Sequence, residues 1–409
     1  MLLPSTDRPG QDLVSLLPER VTGNAARLLV DGDAIFDALE AALLEARHTI
    51  QLEVFQFGGE VGMRLMRAIR ARHEAGVRVR VLLDPAHGHA GSIRDQINRV
   101  IREMDDAGIE WRDFDLKRMP NGPTPLANLG LINHAKLVLI DGRVAFTGGM
   151  NFYDHGSCNH DYMVRLEGPA AAHLGALMDA DWQLSGPPSS PIRHEDGEQA
   201  GQAVVEIAET GPERRTIREL ITRHVVTARE KVWVEVLFLD DDHIIDTLVE
   251  ARARGVDVRV VLDPLNWGHH VPELEKLPFH GIPNWHAVDR LTAGGVAVSW
   301  FKPSRPGQNL HAKVAMIDDR FLLVGSANYT YRALDRSREV TIGLECPEVA
   351  RAFAQAFLAD EAAATRIMGL TGFQRLLGAA FAGVKHRIYH EARDRWRDPG
   401  LQGQDLVTL

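Results

Sequence analysis

The hydrophobic and polar positions in the first half of the chain switch repeatedly between two periods. Runs of apolar and β-branched residues predict three strands: Arg27–Val30, Thr49–Phe57 and Val77–Leu83. Between these runs, apolar side chains recur every three or four residues, as on a helix with one buried face. Asp33 is expected to cap the first such helix, and the second is expected to cover Val61–Glu74 and to end before Gly76.

The second half of the chain has the same alternation. Strands are predicted over Val232–Leu239 and Val256–Leu262, separated by a helix over Asp242–Arg254. Strands that alternate with helices indicate a mixed α/β sheet in each half. Between the halves, Ser185–Gly201 is rich in proline, serine, glycine and charge, which is typical of a linker.

Two segments recur in the same order. The Gly-Val-X-Val-Arg-Val segment that leads to Asp84 returns before Asp263, 179 residues later, and the segment around His134 returns around His311, 177 residues later. This recurrence indicates a duplicated unit, so we expect an α/β fold of two like repeats about a pseudo-twofold axis. The expected division is an N-terminal extension (1–23), a first repeat (24–184), a linker (185–201), a second repeat (202–360) and a C-terminal helical tail (361–409).

Each repeat carries one polar motif. The first consists of His134, Lys136, Asp141, Gly149 and Asn151, and the second of His311, Lys313, Asp318, Ser326 and Asn328. Histidine and lysine stand two residues apart on a predicted strand, so both side chains project from the same face. In the first repeat an Asp-Gly turn then connects this strand to a second one, and a glycine-rich turn returns the asparagine towards the histidine. The second repeat is expected to have the same geometry. Each repeat therefore gathers an imidazole, an ammonium and an amide.

Both copies fit the signature H-x-K-x4-D-x6-G-[GS]-x-N without a gap, and this signature resembles that of the phospholipase D superfamily. The resemblance covers about Asn24–Leu358 and implies two α-β-α repeats with one shared active site. Within the superfamily the chain looks most like short bacterial cardiolipin synthases that lack N-terminal membrane helices. The supporting segments are Val21–Asp33, Ile140–Asn151, Asp161–Pro169 and Gly325–Leu334. Ala135 departs from the arginine that such synthases often carry there.

The motif residues suit attack on a phosphodiester. Two lysines and two asparagines can hold the non-bridging oxygens and stabilise the charge of the transition state. One neutral histidine would attack phosphorus to give a phosphohistidine, and the other would act as general acid and base. The resemblance assigns attack to His134 and acid/base catalysis to His311, although the near-symmetry of the repeats leaves the reverse open.

The resemblance also implies roles for the neighbouring residues. Asn151, Asn328, Ser326 and Gly149 are expected to contact substrate. Asp161 and Glu339 follow the two histidines by 27 and 28 residues and are expected to orient them, each within its own repeat. The motif aspartates Asp141 and Asp318 complete the catalytic signature but are expected to stabilise turns next to the site.

The composition of the chain indicates which kinds of binding partner and which cellular location to expect. A formal charge of −10 disfavours a dedicated nucleic-acid binder, because phosphate-backbone binding needs a basic surface. Two cysteines, Cys158 and Cys346, give no disulfide framework and suit a reducing compartment. The segment Met1–Arg20 is expected to be neither a signal peptide nor a membrane span, and no stretch elsewhere reaches about 18 uncharged apolar residues. We therefore expect a cytoplasmic protein that reaches anionic phospholipid at the inner face of the membrane, and the sequence indicates no protein partner.

Several histidines fall in two loops after the predicted strand ends: His87, His89, His269, His270, His280 and His286. No cysteine and few carboxylates accompany them at ligand spacing, so we expect neither a metal nor another cofactor. Glu53 and Glu235 occupy equivalent mid-strand positions, where they either pair near the repeat interface or face solvent.

The tail beyond the second repeat carries an apolar helical stripe of Phe373, Leu376, Leu377, Ala380, Phe381, Val384 and Ile388. Between Gly372 and Trp396 five basic residues stand against two acidic ones, which suits an anionic membrane surface. Packing of the stripe on the core is the equally weighted alternative. The loop Pro120–Leu131 is a second candidate for acyl-chain contact.

The function expected from these features is phosphatidyl transfer between phospholipid headgroups, with a phosphatidylglycerol-like donor. A hydrolase of the same chemistry, either a phospholipase D or a nuclease, is the first alternative. A lipid-binding scaffold without catalysis is the second.

Overall fold

The computed structural model describes residues 18–84, 91–115, 132–192, 197–211, 214–264 and 281–397. The strands of the first repeat are β1 (Arg20–Val30), β2 (Thr49–Val54), β3 (Arg78–Leu83), β4 (Glu110–Asp113), β5 (Lys136–Ile140), β6 (Val144–Gly148) and β7 (Tyr162–Glu167). Its helices are α1 (Asp31–Glu45), α2 (Gly59–Glu74), α3 (Gly91–Ala107), α4 (Asp154–Ser157) and α5 (Pro169–Leu184).

The second half follows the same order. Its strands are β8 (Ala203–Thr210), β9 (Lys231–Val236), β10 (Asp257–Leu262), β11 (Ala297–Trp300), β12 (Lys313–Ile317), β13 (Phe321–Gly325), β14 (Glu339–Glu345) and the short β15 (Thr365–Arg366). Its helices are α6 (Ile217–Thr227), α7 (Asp242–Ala253), α8 (Ile282–Ala293), α9 (Tyr331–Asp335), α10 (Pro347–Ala363) and α11 (Gly372–Arg397).

The described strands form one continuous sheet in the order β15-β11-β10-β9-β12-β13-β14-β8-β1-β7-β6-β5-β2-β3-β4. Counted outwards from the β8–β1 pair, the equivalent strands of the two repeats follow in the same order. The short strand β15 is an addition at the edge of the second repeat. Strands β8 and β1 are antiparallel, with Val21 opposite Val205. An antiparallel pair of equivalent strands is related by a twofold rotation, so the predicted fold of two repeats about a pseudo-twofold axis is confirmed.

The apolar residues divide into three main layers. One cluster buries α1 and α2 against the outer face of the first repeat, and another buries α6, α7 and α8 against the second. The third cluster combines both repeats: Leu137 and Leu174 from the first lie with Val314, Phe353 and Phe357 from the second. Because α5 and α10 both contribute to it, this middle layer is a core that neither repeat completes alone.

The predicted strands and helices lie within a few residues of the observed ones, except that β1 begins at Arg20, seven residues before the predicted start at Arg27. The start of α1 is a second exception: the helix begins at Asp31, and Val30 stands at the N-cap position without a side-chain hydrogen bond. Asp33 therefore does not cap it, and that prediction is wrong. The Asp31 N–H donates to Asp161 O at 2.9 Å, so a tertiary contact with β7 fixes the beginning of the helix.

The two motif aspartates close the turns after β5 and β12. Asp141 adopts a left-handed φ of 53°, and its carboxylate accepts the backbone N–H groups of Arg47, His48 and Thr49 at 2.7–2.8 Å. Asp318 has the same φ of 53° and accepts the three N–H groups of residues 229–231. Both aspartates therefore tie the motif hairpin to the strand beside it.

The described residues contain no helix that is both long enough and apolar enough to cross a bilayer.

We predict that Asp141→Ala lowers the free energy of unfolding by about 2–4 kcal/mol, because three backbone donors lose a charged acceptor. Urea denaturation followed by circular dichroism measures the change. The matched control is Asp37→Ala, which removes an exposed ion pair with Arg64 and should cost less than about 1 kcal/mol. Equal losses in the two variants would contradict the turn-closing role of Asp141.

Candidate active site

Two aspartates hold the chain where it enters each motif strand. The backbone N–H of Asn133 donates to the carboxylate of Asp84, and the N–H of Leu310 donates to that of Asp263 at 2.6 Å. Asp84 and Asp263 follow β3 and β10, and both are buried. The sequence showed their recurrence but gave them no part in the site. The available signal was their recurrence at the ends of equivalent strands in the two repeats.

His134 and His311 meet across the interface between the repeats. Their ring centroids are 6.5 Å apart with the planes inclined at 63°. Both side chains are mostly buried, and Lys136 and Lys313 are each only 1% exposed. The ring of Phe55, which the sequence did not single out, lies 5.0 Å from that of His134. The two motifs thus form one site and not two.

The orienting carboxylates are exchanged between the repeats. His134 Nδ1 lies 3.1 Å from Glu339 Oε2, and His311 Nδ1 lies 2.6 Å from Asp161 Oδ2. The sequence had paired each histidine with the acid of its own repeat, and the structure corrects that pairing. The reason is the interface, which brings the residues before β7 and β14 beside the motif of the opposite repeat. A carboxylate on Nδ1 places the proton there and leaves the Nε2 lone pair free.

The lysines turn towards their own histidines. Lys136 Nζ donates to His134 O at 2.7 Å, and Lys313 Nζ donates to His311 O and lies 3.0 Å from His311 Nδ1. Asn151 and Asn328 follow β6 and β13 at the same end of the sheet. Both are less than a tenth exposed, and the side-chain oxygen of each is buried without a hydrogen-bond partner among the described residues.

Gly149 and Ser326 lie against the orienting carboxylates. Their N–H groups donate to Tyr162 O at 3.0 Å and Val340 O at 2.9 Å, so neither N–H is available to substrate. A Cβ on Gly149 would stand 2.3 Å from Asp161 Oδ1, and Ser326 Oγ donates to Glu339 Oε2 at 2.5 Å. The structure thus brings both residues against the orienting acids, and their expected contact with substrate stays a prediction.

Asp141 and Asp318 stand away from this chemistry. Each lies five residues along its strand from the motif lysine, which corresponds to about 16 Å at the rise of an extended chain. The expectation that they stabilise turns agrees with their hydrogen bonds, but their expected place next to the site is wrong.

The buried charges perturb one another. Burial, followed by the positive charge of Lys136, lowers the pKa of His134 well below 6.5, and burial next to Lys313 lowers the pKa of His311 to about 4. Burial also lowers the pKa of Lys313 to about 8, while it raises the pKa of Glu339 to about 7. Burial lowers the pKa of Lys136 well below its ordinary value of 10.5 as well. The free site therefore favours neutral imidazoles at neutral pH, and the ammonium group of Lys313 can attract an anion.

Of the six histidines in the two histidine-rich stretches, His286 alone lies within the described residues. His286 Nε2 lies 2.8 Å from Asp242 Oδ1 in a partly exposed ion pair between α8 and α7. The other five histidines and the loop Pro120–Leu131 lie outside the described residues.

Glu53 and Glu235 are fully buried, and Glu235 accepts a hydrogen bond from Tyr162 at 2.7 Å. Of the two alternatives for these glutamates, burial at the interface is the one that the structure shows.

Comparison with known proteins agrees with this geometry. The family model described as "Cardiolipin synthase, PLD-like domain" matches residues 39–182 and 221–360. The chain is 28% identical over 346 residues to cardiolipin synthase A of Salmonella arizonae, covering 80% of this chain and 66% of that protein. It is 29% identical over 333 residues to cardiolipin synthase A of Pseudomonas entomophila, covering 79% and 65%. The chain therefore spans just under two thirds of the length of these relatives.

Solved structures share the fold. The crystal structure of a phosphatidylserine synthase from Haemophilus influenzae superposes with a TM-score of 0.69 at 12% identity, covering 91% of this chain and 97% of that one. The two matched segments of the family model each contain one complete histidine–lysine motif and together cover more than half of the sequence. The chain belongs to the cardiolipin synthase PLD-like domain family.

Proposed function

We propose that this protein transfers a phosphatidyl group between phospholipid headgroup alcohols through a phosphohistidine. The observation that carries the proposal is the meeting of His134 and His311 at 6.5 Å, each with Nδ1 held by a carboxylate of the opposite repeat. Two oriented imidazoles on either side of one small space suit an in-line exchange at phosphorus. One ring can attack while the other serves the departing oxygen.

In the first half-reaction, Nε2 of His134 attacks phosphorus and the bond from phosphorus to the leaving alcohol breaks. The lowered pKa of His134 favours the neutral ring that this attack requires. His311 gives its proton to the leaving oxygen, so its ring must first be charged. An anionic phosphodiester bound between the rings supplies the negative charge that raises the pKa of His311 from about 4.

In the second half-reaction, a new alcohol gives its proton to His311 and attacks the phosphohistidine, which frees His134. Lys136 and Lys313 would stabilise the charge on the non-bridging oxygens throughout. Asn151 and Asn328 are the further candidates for phosphate contact, because they are buried at the same end of the sheet. Water in place of the alcohol would make the reaction a hydrolysis.

The proposed donor is a phosphatidylglycerol-like lipid and the proposed acceptor is the headgroup alcohol of a second lipid. Membership of the cardiolipin synthase PLD-like domain family supports this choice. The same support extends to a location at a membrane surface, since both substrates are held in a bilayer.

Helix α11 is the proposed membrane contact. One side of the helix packs on α8, where Gly378 approaches the Trp285 side chain and Arg375 pairs with Asp289 at 3.0 Å. The other side leaves Phe373, Leu376 and Val384 between 59% and 73% exposed. One face of α11 therefore supports packing on the core, and the other face supports contact with a membrane. Exposed apolar residues on a basic helix suit insertion into anionic headgroups.

We predict that purified protein on phosphatidylglycerol vesicles forms cardiolipin and releases glycerol in equal amounts. Mass spectrometry of the lipids and enzymatic assay of glycerol measure the two products. Phosphatidic acid as the main product would replace transfer by hydrolysis. Lipid binding without any product would favour a scaffold.

His134→Ala and His311→Ala should each reduce kcat by at least about a thousandfold, because the nucleophile and the acid act as a unit. Turnover of a short soluble phosphodiester measures this loss without the complication of vesicle binding. His48→Ala, which removes an exposed histidine at the far end of the sheet, is the matched control and should remain near wild type.

Rapid quenching with labelled substrate tests the division of roles. The label should be found on His134 and not on His311. Label on His311 would reverse the roles, and a single variant within about tenfold of wild type would contradict a shared site.

Replacing the exposed residues Phe373, Leu376 and Val384 by serine should weaken binding to anionic vesicles by at least about tenfold, because less apolar area enters the bilayer. Turnover of the soluble phosphodiester should stay unchanged. Cosedimentation with phosphatidylglycerol vesicles at increasing salt measures the affinity, which should also fall as salt screens the basic residues.

The control for this prediction is Leu184→Ser, which removes a residue that is 55% exposed at the end of α5. It should leave vesicle binding intact. Equal binding by the α11 variant and wild type would place the membrane contact elsewhere on the protein.

A further inference from the structure

A third histidine, His160, is buried at the repeat interface outside the proposed phosphate site. Its Nδ1 lies 2.8 Å from Asp31 Oδ1, and its Nε2 lies 3.0 Å from Asp360 Oδ2 and 3.7 Å from Glu235 Oε2. Tyr162 Oη lies 3.0 Å from Nε2 and donates to Glu235. The four partners come from α1, α10, β9 and β7. Three carboxylates from both repeats thus surround one imidazole.

The equivalent position of the second repeat holds an arginine. His160 and Arg338 directly precede Asp161 and Glu339, the two acids that orient the catalytic pair. Arg338 is 2% exposed and contacts Asp181 Oδ2 at 2.7 Å, Glu209 Oε2, and Glu53 Oε1 at 3.9 Å. Glu53 and Glu235 are matched by register, since they stand opposite Leu137 and Val314 on the motif strands. Each repeat therefore sets one cationic residue among three carboxylates.

Both residues are joined by main-chain hydrogen bonds to the motif of the opposite repeat. His160 N–H donates to Asn309 O and His160 O accepts from His311 N–H, both at 2.8 Å. Arg338 makes the matching pair of bonds, to Ile132 O at 3.0 Å and from His134 N–H at 2.8 Å. A shift of His160 would therefore move Asp161 and His311 together, as a shift of Arg338 would move Glu339 and His134.

The surroundings of His160 fit a charged ring. Each ring nitrogen faces a carboxylate oxygen, and an imidazole can donate from both nitrogens only when it is protonated. Burial alone would lower its pKa, but the hydrogen bonds to Asp31, Asp360 and Glu235 outweigh burial and raise the pKa of His160 well above 6.5. A protonated His160 also carries the same charge as Arg338.

We propose that His160, as an imidazolium, is a positioning residue that joins the repeats and holds Asp161 and His311 in register, and that it can be switched off by deprotonation whereas Arg338 cannot. The positioning of His311 rests on the proposed function. The charge-dependent joining of the repeats does not.

The direction of the pH effect follows from the raised pKa. Protonated His160 stabilises the folded protein fully below about pH 6.5, the ordinary pKa of histidine. This stabilisation is lost as pH rises through the folded-state pKa, because three carboxylates then surround a neutral ring. Lys313 and Glu339 also titrate near this window. Since they remain in every variant of His160, comparison between variants isolates the effect of His160.

Thermal unfolding of full-length wild type, His160→Arg and His160→Gln between pH 6 and 9.5 tests the proposal. Arginine keeps a charge that can stack on Phe301, because the His160 ring stacks on Phe301 with planes at 6° and a guanidinium stacks on aromatic rings in the same way. His160→Gln keeps hydrogen-bonding capacity without charge. At pH 6.5 it should melt about 5 °C or more below wild type, as expected when a buried charge pair loses its cation.

The expected result is that wild type matches His160→Arg at low pH and approaches His160→Gln as pH rises. With a phosphodiester substrate, His160→Gln should lose about tenfold or more in kcat at pH 6.5, and His160→Arg should restore most of it and shift the alkaline decline upwards. The unfolding curves need no substrate, so they decide the joining role even if the proposed reaction is wrong.

Three results would overturn the proposal. The first is parallel melting curves for wild type and His160→Gln across the range, and the second is an unchanged pH slope in His160→Arg. The third is one equivalent of divalent metal in purified wild type that is lost in His160→Gln. A bound metal ion, and not a protonated His160, would then supply the positive charge among the three carboxylates.

Discussion

The exchange of carboxylates between the two repeats is the constraint on which the site depends. Asp161 orients His311 and Glu339 orients His134, so neither repeat contains a complete histidine–acid pair. A buried imidazole beside a lysine loses its charge and its orientation easily, and a carboxylate on Nδ1 fixes both the tautomer and the direction of the ring. The interface between the repeats is therefore part of the active site, and its geometry must be held to within a fraction of an ångström.

The sheet supplies that precision. Because β8 pairs directly with β1, hydrogen bonds run without a break from one repeat into the other. Beneath the sheet, α5 and α10 pack into one apolar layer that both repeats share. On this frame the two histidine motifs approach each other through the bridges at His160 and Arg338. Rigid elements on both sides of the site allow six ionisable residues to be buried at fixed distances, which a loop-built site would not maintain.

The near-symmetry of the repeats is broken at a few positions, and these carry the chemical differences. Gly149 leaves room for the short carboxylate of Asp161, whereas Ser326 donates to the longer Glu339. His160 takes the place of Arg338 as the cation of its network. Substitutions of this kind give His134 and His311 different surroundings although the two repeats share one fold and one motif. The differences among the neighbours, more than the motifs themselves, distinguish the two halves of the site.

The sequence by itself determined the two repeats, most strands and helices, and the motif residues, because apolar periodicity and duplicated spacing are local properties of the chain. It also indicated a tight turn at Asp141-Gly142, because such a turn follows from neighbouring residues. The hydrogen bonds of Asp141 and Asp318 to the adjacent strands, by contrast, join residues far apart in the chain. Only the tertiary structure decided the exchange of Asp161 and Glu339, the start of α1 at Asp31 and the burial of Glu53 and Glu235. Each of these depends on contacts between residues far apart in the chain. A local sequence pattern does not show which repeat a side chain will face.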